Sequence, residues 1–210
     1  LGRDENDIAG AREALADAMA SPANASAIPV RAVGHAHIDT AWLWPLRESI
    51  RKCGRTFSSQ LRLIERYPGY IFGASAAQHY QYTKDHYPEL YERVKKAIAD
   101  GRWEVQGGMW VESDTNVPSG ESLVRQFLHG KNYFMDEFGL DIDNLWIPDV
   151  FGYSGALPQI MIQSGVDTFL TQKLSWNQFN TFPHNTFMWE GIDGSQILTH
   201  FPPENTYNSQ

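Results

Sequence analysis

Short apolar segments typical of β-strands alternate along this chain with longer segments that have helical periodicity. The predicted strands lie at residues 30–34, 71–75, 103–108, 145–147 and 168–172, and the predicted helices lie at about 5–20, 45–66, 76–99, 120–138 and 157–165. We expect the third helix to break near Pro88, and residues 182–201 to form a β-hairpin that turns at Asp193-Gly194. Because a crossover helix between two strands brings them into one parallel sheet, this order predicts an α/β fold.

Polar or small residues follow the predicted strands at the points where the strands end. They are Asp39, Ser75, Gly107, Asp149 and Gln172. Parallel α/β sheets and β/α barrels carry their active sites at the carboxyl ends of the strands. We therefore expect the functional side chains of this protein at that edge of the sheet.

The motif that most strongly indicates a functional site is VGHAHIDTAWLWPL at residues 33–46. If the first strand extends through it, His35, His37 and Asp39 point to the same face, because side chains alternate along a strand. Two imidazoles and a carboxylate on one face suit a divalent metal, most often zinc. Trp42 and Trp44 follow directly, and aromatic rings beside polar anchors are typical of sugar-binding sites. The alternative is that the histidines are hydrogen-bonded core residues and both tryptophans only pack.

A second candidate is Asp149, which follows the fourth predicted strand in WIPDVFGYSGALPQI, residues 146–160. An aspartate at this position is often only the N-cap of the next helix. Two strand ends in one parallel sheet share an edge, however, so Asp149 can converge with His37 and Asp39.

Composition and net charge indicate which partners, cross-links and cellular location to expect for this protein. Of the 210 residues, 42% are hydrophobic, which is enough for a substantial core, and the net charge of −8 argues against nucleic acid or an anionic membrane as the partner. The single cysteine, Cys53, excludes an intrachain disulfide. Because no stretch is apolar enough to span a membrane and no signal peptide is visible, we expect a cytoplasmic location.

Several long motifs together resemble the α-mannosidases of glycoside hydrolase family 38, in the cytosolic, vacuolar and bacterial branch. The matching segments, in the family's order, are GHAHIDTAWLWP, GGMWVESDTNVPSGESLVRQF, WIPDVFGYSGALPQI, LTQKLSWNQFNTFPHNTFMWEGIDGS and THFPPENTYN. The resemblance implies a parallel-stranded β/α barrel-like domain of the glycoside hydrolase and deacetylase type, truncated in this chain. Residues 30–210 are then the front portion of the catalytic domain, and residues 1–29 are a helical lead-in and linker that carry none of the resemblance.

The resemblance also implies a catalytic centre with one zinc ion. His37 and Asp39 match two zinc ligands of the family. Asp149 matches the aspartate that is both a zinc ligand and the catalytic nucleophile. His35 matches another histidine at the strand end, which we interpret as a neighbour of the ligands. Asp114 lies on a loop after a strand, where it would also line the site.

Four further residues correspond to positions that contact the sugar. Trp42 matches an aromatic residue that packs against bound mannose, and Lys173 lies where other branches carry a basic residue near the substrate. Tyr207 and Asn208 fall where a Tyr-Asp pair lines the sugar site, and Asn208 replaces that aspartate. Glu112, on the same loop as Asp114, is a further candidate for lining the site.

The implied activity is retaining hydrolysis of terminal α-linked mannose from oligosaccharides through a covalent mannosyl-enzyme intermediate. The family's acid/base aspartate and fourth zinc ligand, a histidine, lie further along the chain than residue 210. We therefore expect residues 1–210 to have little activity alone and to act together with the rest of the parent chain.

Other functions remain open at this point. A metal-dependent amidohydrolase also begins with an HxH motif but needs further histidines at strand ends, and here His79, His86 and His129 fall in predicted helices. A polysaccharide deacetylase shares the metal and carboxylate chemistry on a related barrel. A sugar-binding fragment without catalysis is the non-enzymatic alternative, and cobalt could replace zinc in the same ligand set.

Overall fold

The computed structural model describes residues 5–27 and 32–202. Its internal contacts divide the chain into two units, Leu1–Ala32 and Val33–Gln210. The first unit contains helix α1, Glu5–Ala20, as the sequence predicts. Among the helices that the structure describes, none is long and apolar enough to cross a membrane.

The second unit alternates strands and helices in the predicted order. Its elements are β1 Gly34–His35, α2 Leu46–Arg66, β2 Phe72–Ala74, α3 Ala77–His86, α4 Pro88–Ala99, β3 Trp103–Val105, α5 Gly120–Phe138, β4 Asn144–Ile147, α6 Leu157–Gln163, β5 Thr168–Thr171, a short 3-10 helix Lys173–Trp176, β6 Thr186–Glu190 and β7 Gln196–His200. The predicted break near Pro88 is confirmed, since α3 ends at His86 and α4 begins at this proline. A proline suits the first turn of a helix because its missing N–H would have no partner there.

The strands form a parallel α/β fold, as predicted. One sheet was expected, but within residues 32–202 the strands form two, β1-β2-β3 and β4-β5-β7-β6, and every pairing is parallel except β6 with β7. The backbone N–H of Gly107, just after β3, donates to the side-chain oxygen of Asn144 at the start of β4 over 2.9 Å. The predicted hairpin is the β6–β7 pair, with Asp193 and Gly194 in its turn.

The first strand differs from its prediction. We expected a strand over residues 30–34 whose alternation continues to Asp39, but β1 consists of Gly34 and His35, and residues 36–39 are a loop. Residues 28–31 lie outside the described part of the chain. Among the described residues, β1 lies at the edge of its sheet and pairs with β2 alone, Gly34 with Phe72 and His35 with Gly73, so no second neighbour extends the ladder. His37 and Asp39 therefore project from a loop and not from a strand.

Aromatic and aliphatic side chains fill two cores, one under each sheet. Phe57, Phe72, Trp103 and Phe134 are among the buried residues of the first core, in which Trp103 Nε1 donates to the hydroxyl of Tyr80 over 2.9 Å. The second core lies under β4 and β5 and contains Leu145, Ile147, Leu157, Met161 and Phe169. Cys53 is fully buried, and burial raises the pKa of its thiol to about 12, which fits a packing role.

Close packing of helix α5 fixes the loop that follows β3. A Cβ atom on Gly130 would lie 2.3 Å from the Gly108 carbonyl oxygen, so only glycine allows this approach. The backbone N–H of Trp110 donates to the Gln126 carbonyl, and the N–H of Val111 donates to the Gln126 side chain, each over 2.9 Å. The loop is thereby held against α5 just before Glu112 and Asp114.

Candidate metal centre

His37, Asp39 and Asp149 converge at the carboxyl ends of β1 and β4. His37 Nε2 lies 3.3 Å from Asp39 Oδ1 and 3.4 Å from Asp149 Oδ2. One ligand atom from each of the three side chains lies within 4.8 Å of the others, and all three are partly buried. One imidazole and two carboxylates around a common point could hold a divalent cation.

Contacts with helix α2 hold the loop that carries His37 and Asp39. Ser49 of α2 is fully buried, and its hydroxyl donates to the Asp39 carbonyl over 3.1 Å. Trp44 Nε1 in turn donates to the Ser49 hydroxyl over 2.9 Å. The end of this loop is therefore tied to the first turn of α2.

Asp149 lies in the turn directly after β4. The neighbouring loop reaches this turn through two hydrogen bonds, from the Thr115 hydroxyl to the Gly152 carbonyl over 2.9 Å and from the Asn116 amide to the Phe151 carbonyl over 3.1 Å. Gly152 has a φ of 119°, which favours glycine, and a Cβ there would lie 2.2 Å from Asn116 Nδ2. The loops after β3 and β4 thus brace each other around the carboxylate.

Lys173 lies on the other side of Asp149. Its Nζ is 2.5 Å from Asp149 Oδ1, and the side chain is 3% exposed. The ammonium also lies 3.3 Å from the ring centroid of Trp176 and 4.7 Å from that of Phe151. The two oxygens of Asp149 therefore face different cationic groups, Lys173 at Oδ1 and His37 at Oδ2.

Glu112 approaches the ring of His37 from the side opposite the two aspartates. His37 Nδ1 lies 2.8 Å from Glu112 Oε2, and the Ser75 hydroxyl donates to Glu112 Oε1 over 2.5 Å. Burial lowers the pKa of His37, but Glu112, Asp39 and Asp149 together raise it to about 9. Without a metal the imidazolium itself offsets the surrounding negative charge, and a bound cation would take over that role.

His35 and His79 lie near this centre but are not part of the donor group. The ring of His35 packs on Trp146 with the centroids 4.9 Å apart, and His79 Nε2 lies 3.2 Å from the Thr40 hydroxyl. Burial lowers the pKa of each to about 4, so both imidazoles are neutral at pH 7. His35 thus lies beside the three candidate ligands, and its interpretation as a neighbour of metal ligands stays a prediction.

A polar cavity of about 270 Å³ opens at the centre. Its lining includes His37, Asp39, Glu112, Asp114 and Asp149. Asp114 Oδ1 also accepts from the backbone N–H of Asn116 over 2.8 Å, so this carboxylate shapes the loop as well. Through this cavity a small polar molecule can reach the three candidate ligands.

The residues expected to contact sugar differ from one another in their exposure. Trp42 is 66% exposed and packs edge-on against Trp44 with the ring centroids 5.4 Å apart. Lys173 is buried beside Asp149, and Tyr207 and Asn208 lie outside the described residues.

The sequence did not reveal the series of contacts that runs from Ser75 through Glu112 to His37. Ser75 directly follows a strand at the same edge of the sheet, and that position was its only signal.

Comparison with known proteins identifies the family. The N-terminal domain model of the glycosyl hydrolases family 38 matches residues 27–210. Alpha-mannosidase G of Dictyostelium discoideum is 55% identical over 181 residues, which cover 86% of this chain and 17% of that protein. Alpha-mannosidase 2C1 of Homo sapiens is 54% identical and the alpha-mannosidase of Saccharomyces cerevisiae is 52% identical, with the same two shares covered. The chain thus spans about a sixth of the length of these relatives.

Solved structures support the same fold. The crystal structure of an alpha-mannosidase from Enterococcus faecalis V583 superimposes with a TM-score of 0.70 at 24% identity, covering 80% of this chain and 19% of that chain. A putative polysaccharide deacetylase from Mycobacterium smegmatis, 7% identical, superimposes with a TM-score of 0.51 over 75% of this chain and 49% of that chain. At these identities both similarities bear on the fold alone. From the match over residues 27–210 and the identities above 50%, the chain belongs to glycosyl hydrolase family 38 and forms part of the N-terminal domain of that family.

Proposed function

We propose that this chain is the front part of the catalytic domain of a zinc-dependent retaining α-mannosidase, which removes terminal α-linked mannose from oligosaccharides. The observation that carries the proposal is the convergence of His37, Asp39 and Asp149 on one polar cavity. It is supported by identities of 52–55% to proteins named alpha-mannosidases. The cytoplasmic location remains a prediction.

The donor set fits zinc. Zinc accepts imidazole nitrogen and carboxylate oxygen, and catalytic zinc sites keep a coordination position open for water or substrate. Here one nitrogen and two oxygens lie within 4.8 Å of one another beside an open cavity. When bound, the cation would supply positive charge that holds adjacent hydroxyl oxygens of the sugar. Cobalt remains an alternative for the same three residues.

Asp149 is the proposed nucleophile. Its carboxylate would attack the anomeric carbon while the glycosidic C–O bond breaks and the leaving oxygen takes a proton from the acid/base group, which gives a mannosyl ester. Water, deprotonated by the same group, would then hydrolyse that ester and release the carboxylate. Lys173 orients this carboxylate through Oδ1 and offsets its charge from within a buried position. A retaining enzyme also needs an acid/base carboxyl group about 5–5.5 Å from the nucleophile. We infer that a later part of the longer protein supplies that group, together with a further metal ligand.

The amidohydrolase alternative requires more histidines in the same centre. Among the described residues, the donor group contains His37 and two aspartates. His79 and His129 lie in helices α3 and α5, and His200 ends β7, where Nδ1 lies 2.8 Å from the Thr186 hydroxyl. These positions favour the glycosidase.

The decisive experiment traps the covalent intermediate in the longest natural form of the protein. A fluorinated α-mannoside that forms a slowly hydrolysed ester is added, and the labelled peptide is identified by mass spectrometry. We expect the label on Asp149 and retention of configuration in the product by NMR. A label on another carboxylate, or an inverted product, would overturn the assignment. For residues 1–210, elemental analysis of wild type and Asp149→Ala tests whether the three ligands hold zinc by themselves.

A further inference from the structure

The ring of His37 lies between two sets of carboxylates. Nδ1 faces Glu112 at 2.8 Å, and Nε2 faces Asp39 and Asp149 at 3.3 and 3.4 Å. The two nitrogens lie on opposite sides of the imidazole, so the contact at Nδ1 determines where Nε2 points. Glu112 therefore fixes the direction of the nitrogen that faces the cavity.

The same contact selects the tautomer of the ring. A neutral imidazole carries one N–H, and an ionised carboxylate can only accept a hydrogen bond. Glu112 therefore favours the proton on Nδ1, so that when a cation displaces one proton of the imidazolium, the lone pair that becomes free is that of Nε2, on the side of Asp39 and Asp149. This is the form that binds a cation, and a carboxylate behind the ring also makes the ligand nitrogen more basic.

Glu112 is itself held in place by other elements. Its side chain is 9% exposed, and Oε1 accepts from the hydroxyl of Ser75 at the end of β2. Its backbone follows the segment that Gln126 of α5 holds through Trp110 and Val111. Trp110 Nε1 also donates to the Gln78 side chain of α3 over 3.0 Å. Three elements thus fix this carboxylate before any ligand arrives, which is the requirement for a preorganised site.

We propose that Glu112, oriented by Ser75, is the positioning residue that sets the tautomer and direction of His37 for metal binding. This inference rests on the proposed metal site. It assigns to Glu112 a definite role in the site, beyond lining the cavity. Glu112 acts only through His37, and Ser75 acts only through Glu112.

The test measures metal affinity in the longest natural form of the protein, with zinc alone as the ligand. Competition against a chromophoric chelator gives the Kd for wild type, Glu112→Gln, Ser75→Ala and the double variant. We expect Glu112→Gln to weaken binding on the order of 10–100-fold, because the amide can present its NH₂ group to Nδ1 and reverse the tautomer. Ser75→Ala should weaken zinc binding less than Glu112→Gln does. In the double variant it should weaken zinc binding little further, because Ser75 acts on His37 only through Glu112.

Glu104→Gln serves as the matched control, because Glu104 is an exposed glutamate on β3. Its metal affinity should equal that of wild type. The absorption bands of the cobalt-substituted protein provide a second measurement, and they should change in Glu112→Gln but not in the control. Thermal unfolding of the metal-free variants shows whether either substitution acts only by loosening the fold.

The possible outcomes distinguish a failure of the role proposed for Glu112 from a failure of the proposed metal site. Stoichiometric zinc in wild type with an unchanged Kd and unchanged cobalt bands in Glu112→Gln would overturn the role of Glu112 and leave the metal site standing. Additive effects of Ser75→Ala and Glu112→Gln would overturn the role of Ser75. Absence of metal from wild type would overturn the proposed metal site itself, and the role of Glu112 with it.

Discussion

Lys173 Nζ lies 2.5 Å from Asp149 Oδ1, while Asp149 Oδ2 faces His37 Nε2 at 3.4 Å. The lysine is buried and packs against the ring of Trp176, so its position is determined by the fold. Both oxygens of Asp149 are thus oriented by protein groups before a ligand binds. A carboxylate fixed in this way would lose little conformational freedom if it acts as the proposed nucleophile.

We expect Lys173→Met to lower kcat/KM of the longer protein for an aryl α-mannoside by about 10- to 100-fold. The reason is that a charge-assisted hydrogen bond to a partly buried carboxylate contributes about 1.5–3 kcal/mol. Lys173→Arg keeps the charge and should retain more activity than Lys173→Met. Equal activity in Lys173→Met and wild type, with both folded by circular dichroism, would show that the ion pair does not orient Asp149.

The buried His79 should make the metal-free protein less stable in mild acid. Burial lowers the pKa of His79 from 6.5 to about 4, so between these values the unfolded chain binds a proton that the folded chain does not. The free energy of unfolding should therefore fall as the pH drops from about 6.5 to 4, with a contribution from His79 of at most about 1.4 kcal/mol per pH unit. Above pH 6.5 the contribution is constant.

Urea unfolding at several pH values tests this, with His79→Gln as the variant. The pKa of His35 is similarly lowered, so its titration affects stability in the same direction. The slope of the unfolding free energy against pH should therefore decrease in the variant without vanishing. The difference in unfolding free energy between wild type and variant must change across this pH range. A constant difference would show that His79 titrates alike in the folded and unfolded states.

Two helical glycines should respond in opposite ways to alanine. A Cβ on Gly130 would lie 2.3 Å from the Gly108 carbonyl oxygen, which belongs to backbone and cannot move aside as the end of a flexible side chain could. We expect Gly130→Ala to destabilise the protein by about 1–3 kcal/mol. A Cβ on Gly10 of α1 would have nothing within 4 Å, so Gly10→Ala should favour that helix by up to about 1 kcal/mol. Urea midpoints of both variants compare the two sites, and similar shifts would contradict the close approach of α5.

The sequence predicted the order of elements well because local signals determine it. The break at Pro88 and the turn at Asp193-Gly194 lie where those residues indicate. The convergence of Asp149 with His37 also agrees with the structure, although β1 and β4 lie in two sheets and not in one, with a hydrogen bond from Gly107 to Asn144 between those sheets. The roles given to these residues stay proposals.

The contact between Glu112 and His37 could not be predicted in the same way. It depends on the path of the loop after β3, which Gln126 and Gly130 of α5 set through packing between distant parts of the chain. The expected continuation of the first strand to Asp39 was also wrong: apolar alternation indicated a strand, but among the described residues β1 pairs with β2 alone and ends at His35. The local sequence pattern therefore placed the three candidate ligands near one another without revealing what orients them.

Metal removal should abolish mannose binding if the cation holds the sugar hydroxyls. We expect calorimetry of the zinc-loaded longer protein to give a measurable heat with mannose, and the chelator-treated protein to give none. Restoring zinc should restore binding. Binding that persists without metal would instead support a sugar-binding fragment that does not use the three ligands.

Trp42 should affect substrate affinity more than stability. Its side chain is 66% exposed and packs on Trp44, so its removal leaves no large cavity. If its ring packs against mannose, Trp42→Ala should raise the KM of the longer protein for an aryl α-mannoside by up to about 10-fold, since aromatic contacts of this kind contribute about 0.5–1.5 kcal/mol. Phe179→Ala is the matched control, because Phe179 is 85% exposed and should leave both KM and the unfolding temperature unchanged. A KM for Trp42→Ala equal to that of the control would remove Trp42 from the sugar site and leave it a surface residue beside Trp44.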